Sequence, residues 1–134
     1  MEPAEVYTQR RTVSKADLDD LHHVNNVVYV QWIQDIAKEH WEVRASDQLK
    51  QDFIWVMIRH EIDYKKEAFL GDEILLETFV GDTTFVTSLR YVNIKNAKTG
   101  EVLVSSKSTW CLLDAASKKP TRITDDLRTV FHKQ

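Results

Sequence analysis

The sequence predicts an α+β fold in which an antiparallel sheet of about five strands wraps around one long central helix. Two observations lead to this prediction. Apolar and aromatic residues recur at three- and four-residue intervals in one stretch that begins at Asn26, as in an amphipathic helix. The other apolar stretches are short and rich in β-branched residues, and short turns separate most of them, as in antiparallel hairpins. The predicted order is β-α-β-β-β-β.

The first two predicted elements are a strand and a helix joined by a polar loop. Residues 5–13 have the β-branched and aromatic content of a strand, whereas residues 14–23 are polar and acidic without an apolar period. Either Asn25 or Asn26 is a suitable N-cap for the helix. The apolar positions of the helix are Tyr29, Trp32, Ile33, Ile36, Ala37, His40 and Trp41.

Four strands are predicted after a polar connection over residues 46–52. Their ranges are 54–64, 73–80, 84–95 and 102–113. We expect turns at Gly71-Asp72, Gly81-Asp82 and Thr99-Gly100, so that glycine marks the strand ends. Several strands are apolar on both faces, and one helix cannot cover both. We therefore expect the chain to form a homodimer or a homotetramer.

The composition is that of a soluble globular domain and excludes several classes of function. The chain has 134 residues, which fits one domain over residues 1–134, with 43% hydrophobic and 29% charged residues. With a net charge of −3 and no stripe of basic residues, the sequence predicts no basic surface of the kind that binds nucleic acid. No apolar run approaches the ~18 residues of a membrane span. The first residues lack the pattern of an export signal.

Glycine and cysteine are too scarce for common cofactor and metal motifs. Three scattered glycines cannot form a phosphate loop or a dinucleotide fingerprint. The single cysteine, Cys111, excludes disulfides within the chain and zinc sites built from several cysteines, and it fits a reducing compartment such as the cytoplasm. We therefore expect no cofactor and no metal.

The segment just before the helix concentrates ionisable and amide side chains. Asp17 and Asp19 match the first and third positions of a calcium-binding EF-hand, but His22 replaces its glycine and Val28 its bidentate glutamate. What remains is a carboxylate before a helix N-terminus, where unpaired backbone N–H groups stabilise developing negative charge. This arrangement suits attack on a carbonyl carbon. From the residues alone, the acidic and amide side chains could equally cap the helix and stabilise turns.

A family resemblance bears on this choice. Asp17-Leu18-Asp19, then His23-Val24-Asn25-Asn26 and Tyr29, resemble the DxD…HVNN…Y signature of hotdog-fold thioesterases. This group includes 4-hydroxybenzoyl-CoA thioesterase, the YbgC-like acyl-CoA thioesterases and the plant acyl-ACP thioesterases. The similarity covers nearly the whole chain. It implies a hotdog fold and hydrolysis of an acyl-CoA or acyl-carrier-protein thioester to a free carboxylic acid and a thiol.

The resemblance also implies roles for single residues. Asp19 matches the catalytic carboxylate, acting either as a nucleophile that forms a mixed anhydride or as a base that activates water. His23 matches the histidine that plant members use beside that carboxylate. The backbone N–H near Asn26 matches the amide that binds the thioester oxygen. Glu61 matches a glutamate implicated in the plant members.

Substrate-binding residues and the alternatives remain less specific. Asn25 either points its side-chain amide at the substrate carbonyl or braces the turn, and we favour bracing. Lys119 and Arg122 are the candidates for binding the nucleotide phosphates of coenzyme A. Two departures from the family pattern are His22 in place of a common glycine and Leu21 in place of an asparagine. The alternative functions are a hotdog dehydratase and a non-catalytic subunit that binds acyl thioesters.

Overall fold

The computed structural model describes residues 3–133, which form one five-stranded antiparallel sheet and its helices. The strands are β1 (Tyr7–Thr12), β2 (Phe53–Tyr64), β3 (Glu73–Thr83), β4 (Thr87–Asn96) and β5 (Val102–Asp114). The helices are α1 (Asn26–Arg44), α2 (Asp47–Asp52) and α3 (Asp125–Arg128), with a 3-10 helix at Lys15–Asp17. The strand order across the sheet is β1-β3-β4-β5-β2, so β1 and β2 are the edges. The predicted α+β class and strand number are confirmed.

Helix α1 forms where the apolar spacing predicts it, and the sheet covers its apolar face. Asn25 is the N-cap, because its side chain accepts a hydrogen bond from the Val27 N–H at 3.0 Å. The buried helix residues are Tyr29, Trp32, Ile33, Ile36, Ala37 and His40. The core that packs with them includes Ile74, Leu76, Val92, Ile94, Leu103 and Val104 from β3, β4 and β5. Burial of this shared apolar surface is the main term that stabilises the fold.

The turn predicted at Gly81-Asp82 is wrong. Strand β3 continues through both residues to Thr83, and the hairpin turns over residues 84–86 instead. A Cβ atom added at Gly81 would lie 2.7 Å from Cε2 of Tyr91 on the neighbouring strand β4. Glycine at this position leaves room for an aromatic ring that lies close against the backbone, and the chain does not reverse there.

The connection predicted over residues 46–52 is a short helix. Ser46 begins α2 by accepting a hydrogen bond from the Leu49 N–H at 3.2 Å. None of the six residues of α2 is buried, so the segment lacks the apolar period on which helix prediction depends. The prediction missed α3 for a similar reason, since Leu127 is its one buried residue.

Candidate active site

The loop before α1 folds into a small hairpin that places Asp19 opposite His23. The Asp19 N–H donates to the His23 carbonyl oxygen at 2.9 Å, and Leu18 pairs with Val24 one step further along. Residues 20–22 form the tip. A three-residue tip of this kind closes with a turn and a residue in the left-handed conformation. The hairpin thus brings together two side chains that are four residues apart.

His22 is the left-handed residue, with a φ angle of 65°. Its N–H donates to the Asp19 carbonyl oxygen at 3.0 Å and closes the turn. An L-residue in this conformation costs about 1–2 kcal/mol, which glycine avoids. Histidine is one of the few other types that adopt it with some frequency. His22 therefore stands where the family pattern has a glycine, in a conformation that glycine adopts freely.

The carboxylate of Asp19 is fixed in orientation and remains accessible. Its Oδ1 accepts hydrogen bonds from the backbone N–H groups of Leu21 at 2.9 Å and His23 at 3.4 Å. Its Oδ2 lies 3.2 Å from Nδ1 of His23. About a quarter of each side chain is exposed, 27% for Asp19 and 26% for His23. A substrate can therefore reach an oxygen whose position the loop determines.

The start of α1 offers one open backbone donor next to this hairpin. The Val27 N–H donates to Oδ1 of Asn25, and the Val28 N–H donates to the carbonyl oxygen of Asn25. Within residues 3–133, the Asn26 N–H has no acceptor. It points from the positive end of a 19-residue helix, where partial charge favours an anionic oxygen. The Asn25 side-chain oxygen is engaged in capping the helix.

Tyr29 and the segment that follows β2, which includes Ala68 and Phe69, support the hairpin. The buried Tyr29 hydroxyl accepts a hydrogen bond from the Ala68 N–H at 3.1 Å, and burial raises the pKa of Tyr29 to about 12. The next residue, Phe69, forms a β-bridge with His23. Phe69 is also exposed, and so is Leu21 at the tip of the hairpin. An apolar surface therefore borders the polar groups of the site.

Comparisons with known proteins identify the family of the chain. The model of the acyl-ACP thioesterase N-terminal domain family matches residues 4–131, which is almost the entire chain. The chain belongs to this family. Among its curated relatives, the chloroplastic acyl-(acyl-carrier-protein) hydrolase FATB3 of Cuphea viscosissima is 26% identical over 85 residues, 63% of this chain and 21% of that protein. The chain spans about a fifth of the length of the curated relatives it matches.

Solved structures show the hotdog fold of this acyl-ACP thioesterase family member. The YbaW probable thioesterase from Escherichia coli superposes with a TM-score of 0.84 at 20% identity, over 94% of this chain and 98% of that one. The 12:0-ACP thioesterase from Umbellularia californica superposes with a TM-score of 0.81 at 18% identity, over 96% of this chain and 51% of that one. The predicted hotdog fold is confirmed.

Glu61, the other carboxylate that the family resemblance selects, lies apart from the hairpin. It is on the edge strand β2, its side chain is half exposed, and its Oε1 is 3.6 Å from Nη2 of Arg59. Within residues 3–133, no hydrogen bond or ion pair joins Glu61 to Asp19 or His23. Within one copy, Glu61 is therefore not bonded to the pair formed by Asp19 and His23.

Lys119 and Arg122 lie at the far end of the sheet from Asp19. The guanidinium carbon of Arg122 is 5.7 Å from the ring centre of Phe85, which is in the turn after β3. Asp19 is instead linked through His23 and Phe69 to the beginning of β3. Strand β3 has 11 residues. The two ends are therefore separated by roughly 35 Å.

No sequence pattern pointed to two further features near α1. One is a cavity of about 470 Å³ between α1 and the sheet. The other is the buried Arg90 on β4, which lines the cavity and donates to His40 of α1. The sign of Arg90 that the sequence does hold is an arginine that alternates with apolar residues along a predicted strand.

Within residues 3–133, no cluster of three His, Cys, Asp or Glu side chains could hold a metal ion. No helix there is long and apolar enough to cross a membrane.

Proposed function

We propose that this chain hydrolyses acyl-CoA or acyl-carrier-protein thioesters to a free carboxylic acid and a thiol. One observation carries the proposal: the oriented, accessible carboxylate of Asp19 lies on the hairpin next to the open Asn26 amide at the start of α1. Membership of the acyl-ACP thioesterase family supports it. The relatives and structural neighbours are named as hydrolases and thioesterases, including an acyl-(acyl-carrier-protein) hydrolase and a 1,4-dihydroxy-2-naphthoyl-CoA thioesterase.

The chemistry follows from the positions of these groups. The thioester oxygen accepts a hydrogen bond from the Asn26 N–H, which stabilises the negative charge that develops on that oxygen. The Asp19 carboxylate either attacks the carbonyl carbon or removes a proton from a water that does so. In the first case attack forms a tetrahedral intermediate, which expels the thiolate and leaves a mixed anhydride between Asp19 and the acyl group. Water then hydrolyses this anhydride to the free acid and restores the Asp19 carboxylate. His23 holds the Asp19 carboxylate or the water in position.

We propose that two copies of the chain complete the site. Within residues 3–133, the edge strand β2 pairs only with β5, and it exposes Val56, Ile58 and Tyr64. A strand whose outer edge is unpaired and whose exposed side chains are apolar is suited to pair with a second copy of itself. A two-fold axis would make that pairing antiparallel, so the Asp19 end of one copy would lie near the Lys119 end of the other. A homotetramer would need a further contact between such pairs.

In the proposed pairing of two copies, the predicted site residues that lie far from Asp19 within one copy would lie close to the second copy. Lys119 and Arg122 would lie near the partner's catalytic hairpin, where their charges suit the phosphates of a CoA or carrier thioester. Glu61 would lie at the shared β2 edge. Asn25 would brace the helix start and not bind substrate.

We further propose that residues 1–134 form a single hotdog domain and that this domain works in the cytoplasm. Its lone cysteine, Cys111, is buried and free, which is consistent with a reducing compartment.

A panel of thioesters tests the proposed activity. Purified chain is mixed with acyl-CoA and acyl-carrier-protein esters that differ in chain length and in aryl or alkyl character. Release of free thiol is then measured after subtracting the signal of Cys111. We expect hydrolysis of at least one ester. Absence of release across the panel would favour a non-catalytic binding subunit, and turnover of 3-hydroxyacyl esters without thiol release would favour a dehydratase.

A matched pair of variants tests the assigned residue. Asp19→Asn keeps the shape of the side chain and removes its charge, so kcat should fall by about 10²–10⁴-fold. Asp20→Asn makes the same change at the neighbouring exposed tip position and should leave kcat unchanged. Equal activity of Asp19→Asn and the unsubstituted chain would show that Asp19 is only a turn residue.

A further inference from the structure

The cavity between α1 and the sheet has the size of a ligand site and an unusual floor. Its volume of about 470 Å³ lies within the range of small-molecule pockets. Aromatic side chains form a large part of the apolar walls, with Trp41, Trp55 and Trp110 among the lining residues, and the other lining residues include polar and charged side chains. The floor contains the two buried polar residues Ser88 and Arg90, which are two positions apart on β4. A cavity that only held an apolar chain would have no use for a charge at this depth.

Arg90 uses only part of its hydrogen-bonding capacity within the fold. It is 6% exposed, and its Nη1 donates to Nδ1 of His40 at 3.1 Å and to Oγ1 of Thr78 at 3.0 Å. Its guanidinium carbon is 4.7 Å from the ring centre of Phe131. Within residues 3–133, its Nε and Nη2 donate to no acceptor, and the hydroxyl of Ser88 also has no hydrogen bond. Three N–H donors and one hydroxyl therefore remain for a group in the cavity.

No carboxylate within residues 3–133 neutralises Arg90. His40 separates Arg90 from Glu5, whose Oε1 lies 2.7 Å from Nε2 of His40. Burial lowers the pKa of His40 to about 4, so the ring is neutral at pH 7 and passes no full charge between them. Glu5 is also bound by two nitrogens of Arg44 at 2.8 and 2.9 Å. The group of four residues thus keeps one excess positive charge, at Arg90.

The acidic residues at the rim of the cavity are engaged elsewhere. Oδ2 of Asp35 accepts from Nη2 of Arg11 at 2.9 Å. Oε2 of Glu42 lies 3.9 Å from Nζ of Lys50. A buried charge without a partner is strongly unfavourable, so a fold that retains one commonly uses it on a ligand. The ligand group that compensates Arg90 is an anion with at least two oxygens, which a guanidinium binds through parallel hydrogen bonds.

We propose that this cavity holds the far end of an acyl group that carries a carboxylate, bound by Arg90 and Ser88. The substrates would then be thioesters of long dicarboxylic acids, hydrolysed at the thioester end while the free carboxylate stays in the cavity. The acyl group has to be long because His40, which contacts Arg90, lies roughly 21 Å along α1 from Asn26. This inference rests on the proposed thioester hydrolysis for the reaction. The proposal that Arg90 and Ser88 bind a carboxylate depends only on the observations of the cavity.

The test compares CoA thioesters in pairs of equal chain length, one ending in a methyl group and one in a carboxylate. The unsubstituted chain should hydrolyse the carboxylate-ended ester with the higher kcat/KM at one or more lengths. Arg90→Met removes the charge and retains much of the volume. It should lower kcat/KM for the carboxylate-ended ester by about 10- to 100-fold, and change the value for the methyl-ended ester much less.

Arg44→Met is the matched control, because Arg44 binds Glu5 from the exterior and does not line the cavity. It should preserve the preference for the carboxylate. Ser88→Ala serves as a second variant should Arg90→Met fail to fold, and it should reduce the preference by a smaller factor. A preference for methyl-ended esters at every length, or a carboxylate preference that survives Arg90→Met, would overturn the inference.

Binding of the free acids separates the inference from the proposed activity. Thermal shifts are measured with dicarboxylic and monocarboxylic acids of equal length. If no ester is hydrolysed but dicarboxylic acids stabilise the chain and Arg90→Met abolishes that effect, the cavity assignment holds and the proposed function fails. Equal stabilisation by both acids, or none by either, would refute the cavity assignment whatever the activity.

Discussion

Two carboxylate–histidine pairs lie at opposite ends of α1. Before its start, Oδ2 of Asp19 is 3.2 Å from Nδ1 of His23, and about a quarter of each side chain is exposed. In its last part, Nε2 of His40 lies 2.7 Å from Oε1 of Glu5, and the His40 side chain is fully buried. The two pairs have the same chemical groups and similar contacts, yet only the first can meet a substrate.

The difference between the pairs lies in their surroundings. The pair of Asp19 and His23 is held by hydrogen bonds within one short hairpin, next to the open Asn26 amide. The pair of Glu5 and His40 is continued on both sides by Arg44 and Arg90, which tie the chain before β1, helix α1 and strand β4 together. Contact between a carboxylate and a histidine therefore does not identify a catalytic pair. Accessibility and a neighbouring open donor are the features for which we propose the pair of Asp19 and His23 as the catalytic one.

The largest effect on stability is expected for His40→Ala, which tests whether the buried pair is structural and the accessible pair is not. Removal of the ring leaves a cavity and takes away a hydrogen-bond partner from both Glu5 and Arg90, so the free energy of unfolding should fall by about 3–5 kcal/mol. His23→Ala should lower it by less than about 1 kcal/mol, because that side chain is partly exposed. Urea denaturation of both variants measures the two values. Similar losses would show that the pairs are equally structural.

The buried pair also predicts a pH dependence of stability. Burial lowers the pKa of His40 from 6.5 to about 4, so between these values the unfolded chain takes up a proton that the folded chain does not. The free energy of unfolding should therefore decrease as the pH falls through this window, by up to about 3 kcal/mol. Glu5, whose pKa is lowered first by its hydrogen bond to Arg44, adds a further loss at lower pH.

Denaturation curves recorded at several pH values between 7 and 4 measure this slope. His40→Gln lacks the titrating ring and should lose the His40 part of the slope, whereas His23→Gln should keep it. A slope that remains unchanged in His40→Gln would assign the pH dependence to other groups.

His23→Gln tests the accessible pair from the side of catalysis. The amide can still occupy the space beside Asp19, but it cannot hold the carboxylate or a water in the same way. We expect kcat to fall by about 100-fold, while the free energy of unfolding changes by less than about 1 kcal/mol. His40→Gln should show the opposite pattern, with reduced stability and nearly unchanged kcat per folded molecule. Thiol release and urea denaturation on the same preparations give both values.

The part of the site that could be predicted from the sequence is the part that is local. Asp19, His23 and Asn26 lie within eight residues, and a single hairpin brings them together. The contacts of His40 join residues that are 35 and 50 positions away in sequence. Helical spacing predicted that His40 faces the core, but its polar partners depend on how strands β1 and β4 pass the helix.

The same limit explains the error at Gly81. A glycine followed by an aspartate is typical of a turn, and the local sequence holds no sign against one. The ring that lies close against the glycine belongs to Tyr91, ten residues later on the adjacent strand. The helix, the order of the elements along the chain and the closeness of Asp19 to His23 follow from local patterns. Contacts between strands, such as this one and the floor of the cavity, do not.

The smallest effect concerns how the accessible pair is held in place. His22 has a φ angle of 65° at the tip of the hairpin, and His22→Gly relieves the strain of that conformation. The unfolded chain also gains freedom from the glycine, which offsets part of the benefit. We expect a net gain of up to about 1 kcal/mol in the free energy of unfolding. Because the turn already has the geometry that glycine favours, kcat should remain within about threefold of its original value.

Asp20→Gly is the matched control for this change. Asp20 lies two positions earlier in the same tip, and within residues 3–133 the non-glycine residues with positive φ are His22 and Lys118. A glycine at Asp20 therefore relieves no strain and should cost about 0.5–1 kcal/mol through the freedom of the unfolded chain. Urea denaturation distinguishes the two signs. If His22→Gly were as destabilising as Asp20→Gly, or reduced kcat strongly, then the His22 side chain itself, and not the backbone geometry of the turn, would hold Asp19 next to the open amide of α1.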